Sequence, residues 1–233
     1  MGGVSVFSLK FVTALAVFLV ASQAWSPPSI AVDFKVMQHR GQRVLLIQDE
    51  QPNNRLPQGG MILPDDAKRF EQALHEAGPI TEVLLNSGGG SERDGLEIGR
   101  IIRRQGLSTR IPAGASCASA CADAFLGGVA RRVEPGGRYG IHMPTIAGNP
   151  ETVQKVLRLI DQQRASIGPE GVQKIIFEIE KLSAQSASRW AAYVLQMGAS
   201  IRIVDSGTRY LASEMNWLNG QELMSLNIIN VDD

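Results

Sequence analysis

Two strand–turn–helix units follow one another in the middle of this 233-residue sequence. In the first, an apolar segment at residues 80–85 leads through the run NSGGGS into an amphipathic segment at residues 92–105. In the second, residues 107–111 lead through the small-residue run GASCASA into an apolar segment at residues 120–126. Strands that alternate with helices in this way are typical of an α/β domain with a largely parallel sheet.

The flanking segments fit the same fold class. Residues 32–37 and 43–48 are rich in apolar and β-branched side chains around a turn, which predicts a hairpin. Helical spacing of apolar residues also predicts a helix that begins at Asp65 or Asp66 and ends before Gly78-Pro79. Further helices are predicted at residues 151–165, 169–182, 184–197 and 219–226, a helical piece at residues 207–212, and a final strand at residues 228–231.

The overall charge gives no indication of a nucleic-acid partner. Lys plus Arg and Asp plus Glu each number 23, and the arginine-rich pieces are short. With 44% hydrophobic residues, the composition is that of a globular protein. We find neither a repeat nor an interdomain linker, so residues 31–233 are predicted to form one domain.

The first 24 residues have the features of a secretory signal peptide. An apolar run at residues 11–20 follows Lys10, and small residues precede a predicted cleavage point after Ala24. The alternative is an uncleaved short anchor, which would hold the domain at a membrane surface. In both cases the domain is exported.

Export bears on the two cysteines, Cys117 and Cys121. Outside the cytosol such a pair is readily oxidised, and their spacing corresponds to a Cα separation of roughly 6 Å on a helix. A disulfide and two buried thiols are both compatible with this spacing. A third hypothesis is thiol chemistry, although the spacing differs from the redox motif C-x-x-C. Two thiols with three scattered histidines show no ligand spacing for a metal, so none is predicted.

A serine and a histidine near the second unit suggest nucleophilic catalysis. Ser119 precedes a predicted helix, where the N–H group of Ala120 would be a free donor at the positive end of the helix dipole. His142 ends a predicted strand and is the best placed of the three histidines to act as a base. A serine hydrolase needs such a pair together with N–H donors for the oxyanion, and the glycine turn at Gly89-Gly90 could supply a second donor. The structural alternatives are a helix-capping serine and a strand-end histidine bonded to a backbone carbonyl.

Three segments together resemble the core of the ClpP serine peptidase family, within the ClpP/crotonase superfamily. They read LNSGGGSERDGLEIGRIIRRQG, GASCASACADAFLGGVARRVEP and YGIHMP. The resemblance implies a spiral of β-β-α units with a mainly parallel sheet and C-terminal helices. It also implies that Ser119, rather than Ser116, is the nucleophile, His142 the base, and the N–H groups of Gly90 and Ala120 the oxyanion donors. Such an enzyme needs no cofactor, acts on peptides or proteins, and can self-associate as homo-oligomers. Export and the paired cysteines resemble the periplasmic ClpP-like proteins of bacteria, which implies that this protein is periplasmic or secreted from a bacterium.

The chain departs from the family pattern at two places. Gly88 replaces the proline of the NSPGG turn, and Met215 stands where the orienting acid of the triad is expected. Glu214, Asn216 and Asp205 are the nearby candidates for that third position. We therefore predict an exported serine hydrolase, a peptidase, that uses a Ser/His pair. The alternative is a catalytically inactive ClpP-like protein that serves as a binding or scaffold module of the cell envelope.

Overall fold

We describe the fold from a computed structural model, in which residues 31–49, 61–145, 150–163, 168–211 and 213–231 are described. The predicted signal segment at residues 1–24 lies outside these ranges. The strands are β1 (Val32–His39), β2 (Gln42–Asp49), β3 (Glu82–Asn86), β4 (Ser108–Ile111), β5 (Ser116–Ala118), β6 (Arg131–Val133), β7 (Arg138–Ile141) and β8 (Asn216–Leu218). The helices are α1 (Asp66–Ala77), α2 (Glu92–Arg104), α3 (Ala120–Leu126), α4 (Pro150–Gln163), α5 (Pro169–Gln196), α6 (Arg202–Thr208) and α7 (Gly220–Ser225).

The larger sheet has five strands in the order β1-β2-β3-β4-β6. The strands β1 and β2 form the predicted antiparallel hairpin, and every following neighbour pairs in parallel. Parallel strands need covered faces, and the strand β3 accordingly contains the buried run Val83, Leu84 and Leu85. The predicted α/β class with a mostly parallel sheet and C-terminal helices is confirmed.

A smaller sheet of three strands, in the order β5-β7-β8, lies beside the first. The strands β5 and β7 are parallel, and β8 pairs with β7 in the antiparallel direction. The strand predicted at residues 228–231 is wrong. There the buried side chain of Arg131 donates to the carbonyl of Ile228, and Asn230 N donates to Arg131 O. A side chain and a loop contact, rather than a neighbouring strand, satisfy this backbone.

Glycines allow the helices α2 and α3 to pack with their backbones in contact. A Cβ atom on Gly95 would lie 2.8 Å from Ala120 Cβ, and one on Gly127 would lie 2.6 Å from Gly99 Cα. Both distances are too short for any side chain larger than hydrogen. The close approach fixes the first turn of α3, immediately after Ser119, against α2.

The helix α5 is continuous, although two helices with a break at Ser183 were predicted from the sequence. Residues 172–196 contain neither glycine nor proline, and serine inside a helix costs only a fraction of a kcal/mol, roughly 0.5. Its C-terminal half buries Trp190, Tyr193 and Val194 against the core. The helical piece predicted at residues 207–212 begins earlier in the structure, as α6 (Arg202–Thr208). Within the described residues, no helix combines the length and the apolar character needed to cross a membrane.

Two arginines join the ends of α3 and α5 to the C-terminal segment. Arg103 and Arg131 both donate to the carbonyls of Gly128 and Met197. Arg131 also donates to the carbonyls of Ile228 and Asn227. Burial, together with the neighbouring charge of Arg103, lowers the pKa of Arg131 from its ordinary value to about 10. Carbonyl oxygens thus satisfy this buried guanidinium, and they fix the helices behind the candidate site.

Candidate active site

Ser119 occupies the sharp corner between β5 and α3. Its backbone has φ 54° and ψ −127°, a conformation that residues other than glycine rarely adopt. Such a conformation costs about 1–3 kcal/mol and persists only where surrounding contacts enforce it. Here Ser119 N donates to Gly140 O at 3.0 Å, and Asp123 N donates to Ser119 O at 3.1 Å. The hydroxyl does not cap the helix. Nor does it hydrogen-bond to any other residue that the structure describes.

The sheet places His142 beside Ser119. The strands β5 and β7 are parallel neighbours, with Ala118 opposite Gly140. Ser119 is the first residue after β5, and His142 is the first residue after β7. Adjacent strands lie about 4.8 Å apart, so both residues leave the sheet at the same edge. Both side chains are half-buried.

The orientation of the His142 ring is set by the main chain. Its Nδ1 atom lies 2.7 Å from the carbonyl oxygen of Met143. Because a carbonyl oxygen can only accept, Nδ1 carries the proton, and in the neutral form of the ring the lone pair is on Nε2. This is the tautomer that a general base needs. A neutral carbonyl thus contacts the nitrogen that a carboxylate contacts in a serine protease triad.

None of the three candidates for the third position hydrogen-bonds to His142 in the described part of the chain. Asp205 pairs with Arg209, with 2.6 Å between the carboxylate and guanidinium atoms. Glu214 accepts from Leu211 N at 3.0 Å. Asn216 lies in β8, opposite Ile141 and therefore next to His142 along the neighbouring strand.

The glycine turn after β3 packs directly against Ser119. A Cβ atom on Gly89 would lie 2.7 Å from Ser119 Cβ and 2.9 Å from Ala120 N. Gly89 also has φ +103°, so this position requires glycine for two independent reasons. Gly88, in contrast, has open space around its Cα, which explains why a chain without proline at this position can keep the turn.

Two backbone N–H groups near this turn lack hydrogen-bond partners among the described residues. Ile62 bonds to the flanks of Gly90, through Gly89 O and Ser91 N. In a parallel pairing of this kind, the N–H group of Gly90 itself points away from Ile62. Ala120 N is the first amide of α3, which no residue within the helix can accept. Both predicted oxyanion donors are therefore unpaired within this part of the structure.

Cys117 and Cys121 form a disulfide, with 5.2 Å between their Cα atoms. Both residues are fully buried. Of the alternatives that the sequence allowed, the structure has the disulfide, and neither cysteine remains free for thiol chemistry.

Asp123 is a buried carboxyl group to which the sequence assigned no function. It lies one turn after Ser119 and accepts from Trp190 Nε1 at 2.8 Å, while Tyr193 donates to its backbone carbonyl. Burial is the main reason why its pKa rises from 3.8 to about 7; the Trp190 bond opposes this shift and the charge of Glu92 adds to it. The signal in the sequence was one acid in the otherwise apolar helix ACADAFL.

Comparison with solved structures shows which known fold the chain has. A point mutant of ClpP1 from Listeria monocytogenes aligns with a TM-score of 0.50 and 18% sequence identity, over 72% of this chain and 84% of that one. The chain has a ClpP-like fold. A second structure of ClpP1 from Listeria monocytogenes aligns with a TM-score of 0.41 and 19% identity, over 73% of this chain and 85% of that one. No family model and no curated protein matches the sequence.

Proposed function

We propose that this protein is an exported serine hydrolase that cleaves peptides, with Ser119 as the nucleophile and His142 as the general base. One observation carries the proposal: Ser119 lies in a strained strand-to-helix turn, and His142 leaves the adjacent parallel strand at the same edge. Strained backbone of this kind is concentrated at catalytic sites because it exposes the reactive atom.

In the proposed reaction, Ser119 Oγ attacks the carbonyl carbon of the peptide while His142 Nε2 takes the hydroxyl proton. The negative charge that develops on the carbonyl oxygen is stabilised by the N–H groups of Gly90 and Ala120. His142 then returns the proton to the departing amine. In the second half of the reaction, a water molecule gives a proton to His142 and attacks the acyl carbon. The bond from that carbon to Ser119 Oγ then breaks, His142 returns the proton to Ser119 Oγ, and the acid product leaves.

The Met143 carbonyl gives His142 an orienting acceptor without a negative charge. It holds the ring in the reactive tautomer, but it stabilises the imidazolium less than a carboxylate would. Replacing the aspartate of a serine protease triad by asparagine lowers kcat by about 10⁴, much of it because the histidine adopts the wrong tautomer. Since Met143 O selects the correct tautomer here, we expect an enzyme that is slow but retains activity.

Two further properties belong to the proposal. Export is supported by the apolar run near the N-terminus and by the disulfide, since disulfides persist in oxidising compartments. Self-association is supported by apolar side chains that α4 and α5 expose to solvent: Val153, Leu157, Val172, Ile176, Phe177 and Ile179. We expect Ile176→Glu to shift the protein toward monomers in sedimentation analysis, while Met224→Glu, on an exposed position of α7, does not. A wild-type protein that sediments as a monomer at micromolar concentration would rule out self-association.

Reaction with a fluorophosphonate tests the proposed function. Such a probe forms a bond between Ser119 Oγ and phosphorus, fluoride leaves, and the hydroxyl proton goes to His142. We expect mass spectrometry to place the adduct on Ser119, and Ser119→Ala to abolish it. His142→Ala should lower the labelling rate by about 10²–10⁴, in the range expected for loss of a general base. Ser116→Ala is the matched control, because Ser116 is a buried serine of β5 and should leave labelling unchanged.

A second candidate function rests on a specific observation. The structure gives no hydrogen bond between Ser119 Oγ and His142 within its described residues, which favours a non-catalytic binding or scaffold protein of the cell envelope. A catalytically inactive protein would show no adduct at Ser119 under any condition, and Ser119→Ala would then leave the cellular phenotype intact.

A further inference from the structure

The disulfide encloses the candidate nucleophile. Cys117 lies two residues before Ser119, in β5, and Cys121 lies two residues after it, in the first turn of α3. The covalent ring that runs through residues 117–121 therefore contains both Ser119 and Ala120. These two residues supply the proposed nucleophile and one of the two proposed oxyanion donors.

Non-covalent contacts hold the elements on both sides of this ring. On the strand side, Ala118 N donates to Ser87 O and Ser119 N donates to Gly140 O, both at 3.0 Å. On the helix side, α3 packs closely against α2, and Asp123 N donates to Ser119 O at 3.1 Å. The disulfide is the one covalent connection between the end of β5 and the beginning of α3 other than the strained corner itself.

The positive φ of Ser119 makes this connection consequential. A serine released from its restraints prefers negative φ, and rotation about its N–Cα bond would turn its side chain and the N–H group of Ala120 together relative to β5 and β7, and so relative to His142. The disulfide opposes this rotation, because it fixes the distance between residues 117 and 121 on the two sides of Ser119. Burial of both sulfur atoms keeps the bond away from reductants while the protein is folded.

We propose that Cys117 and Cys121 are positioning residues, whose disulfide holds Ser119 and the N–H group of Ala120 in their reactive arrangement. This inference rests on the proposed function. Misplacement of a catalytic group by about 1 Å can cost about 10² in rate, so the disulfide should act on the rate of the covalent step rather than on binding. We expect its loss to lower the labelling rate at saturating probe by about 10-fold or more. The probe concentration for half-maximal rate should change by less than about threefold.

The experiment compares three forms of the full chain. The first is the oxidised wild type, the second is Cys117→Ala/Cys121→Ala, and the third is wild type refolded in a phosphine reductant. The phosphine breaks the S–S bond, two thiols form, and the phosphine takes an oxygen atom from water to become its oxide. Alkylation and mass spectrometry verify the redox state. The control is Val44→Ala, which removes buried volume in β2 and destabilises the larger sheet away from the ring.

A positioning role and a merely structural role differ in the labelling kinetics. If the disulfide positions Ser119, nearly every molecule is eventually labelled, but slowly, and reoxidation of the reduced wild type restores the rate. If it only stabilises the fold, fewer molecules are labelled at the wild-type rate, as we expect for Val44→Ala. Equal rates in all three forms would overturn the positioning role alone. An oxidised wild type that fails to label at Ser119 would overturn the proposed function and this inference with it.

Discussion

Replacing Asp123 by asparagine should change how the stability of the protein depends on pH. The carboxyl group is buried beneath the first turn of α3, and Trp190 is the side chain that donates to it in the described structure. Glu92, Tyr139 and Tyr193 are the titratable neighbours that interact with it electrostatically. Asparagine keeps an oxygen that can accept from Trp190, but it cannot ionise.

The size and sign of the effect follow from the pKa of Asp123. Folding raises this pKa from 3.8 to about 7, so the folded protein binds the proton more tightly than the unfolded chain does. The resulting stabilisation is fully present below about pH 4 and is lost as the pH rises through about 7. A difference of roughly three pH units, at about 1.4 kcal/mol each, gives about 4 kcal/mol. The difference in unfolding free energy, wild type minus Asp123→Asn, should therefore fall by a few kcal/mol between pH 4 and pH 8.

Urea unfolding at pH 4, 5, 6, 7 and 8 measures this difference directly. Taking wild type minus variant cancels the contributions of all other titrating groups. Asp161→Asn, which removes an exposed carboxylate of α4, is the matched control and should give a constant difference. If the difference for Asp123→Asn is constant within about 0.5 kcal/mol over this range, Asp123 has the same pKa in both states and the reasoning from burial is wrong.

Three further predictions concern the turn, the arginine contacts and the third catalytic position. Gly89→Ala should lower the fluorophosphonate labelling rate by at least about 10², because its methyl group would overlap Ser119 and Ala120. The control Gly88→Ala should be labelled at the wild-type rate, because its methyl group would enter open space. Arg131→Met should reduce the free energy of unfolding by about 3–5 kcal/mol in a urea titration, because the carbonyls of Ile228 and Asn227 lose their donor. The control Arg104→Met, at an exposed position, should reduce it by less than about 1 kcal/mol. If Met143 O orients His142, the labelling rate should stay within about threefold of wild type in each variant of the candidate third position: Asp205→Asn, Glu214→Gln and Asn216→Ala. A loss of about 10³ or more in one of them would identify that residue as the missing third member.

Local sequence patterns were sufficient for much of the fold. The hairpin β1–β2 and the helix α3 were predicted because alternation, turn residues and glycines act over a few neighbouring residues. The beginning of α3 at Ala120 follows from the small residues that allow the corner at Ser119. The packing of Gly89 against Ser119 could be expected only as a general property of glycine turns between strands and helices.

The remaining features depend on contacts between distant parts of the chain. The strand β8 forms because Asn216–Leu218 meets β7, a pairing across about 75 residues that no local pattern contains. The Met143 carbonyl could not be foreseen as the partner of His142, since every residue has such a carbonyl. Similarly, Asp123 becomes a perturbed acid only because Trp190 and Tyr193 of α5 enclose it.

A crystal structure of the protein after reaction with a fluorophosphonate tests the catalytic assignment most directly. We expect phosphorus to be bonded to Ser119 Oγ, with one phosphoryl oxygen about 2.7–3.1 Å from both Gly90 N and Ala120 N, and with His142 Nε2 facing the adduct. Phosphorus on a different residue, or a phosphoryl oxygen directed into solvent away from both N–H groups, would contradict it.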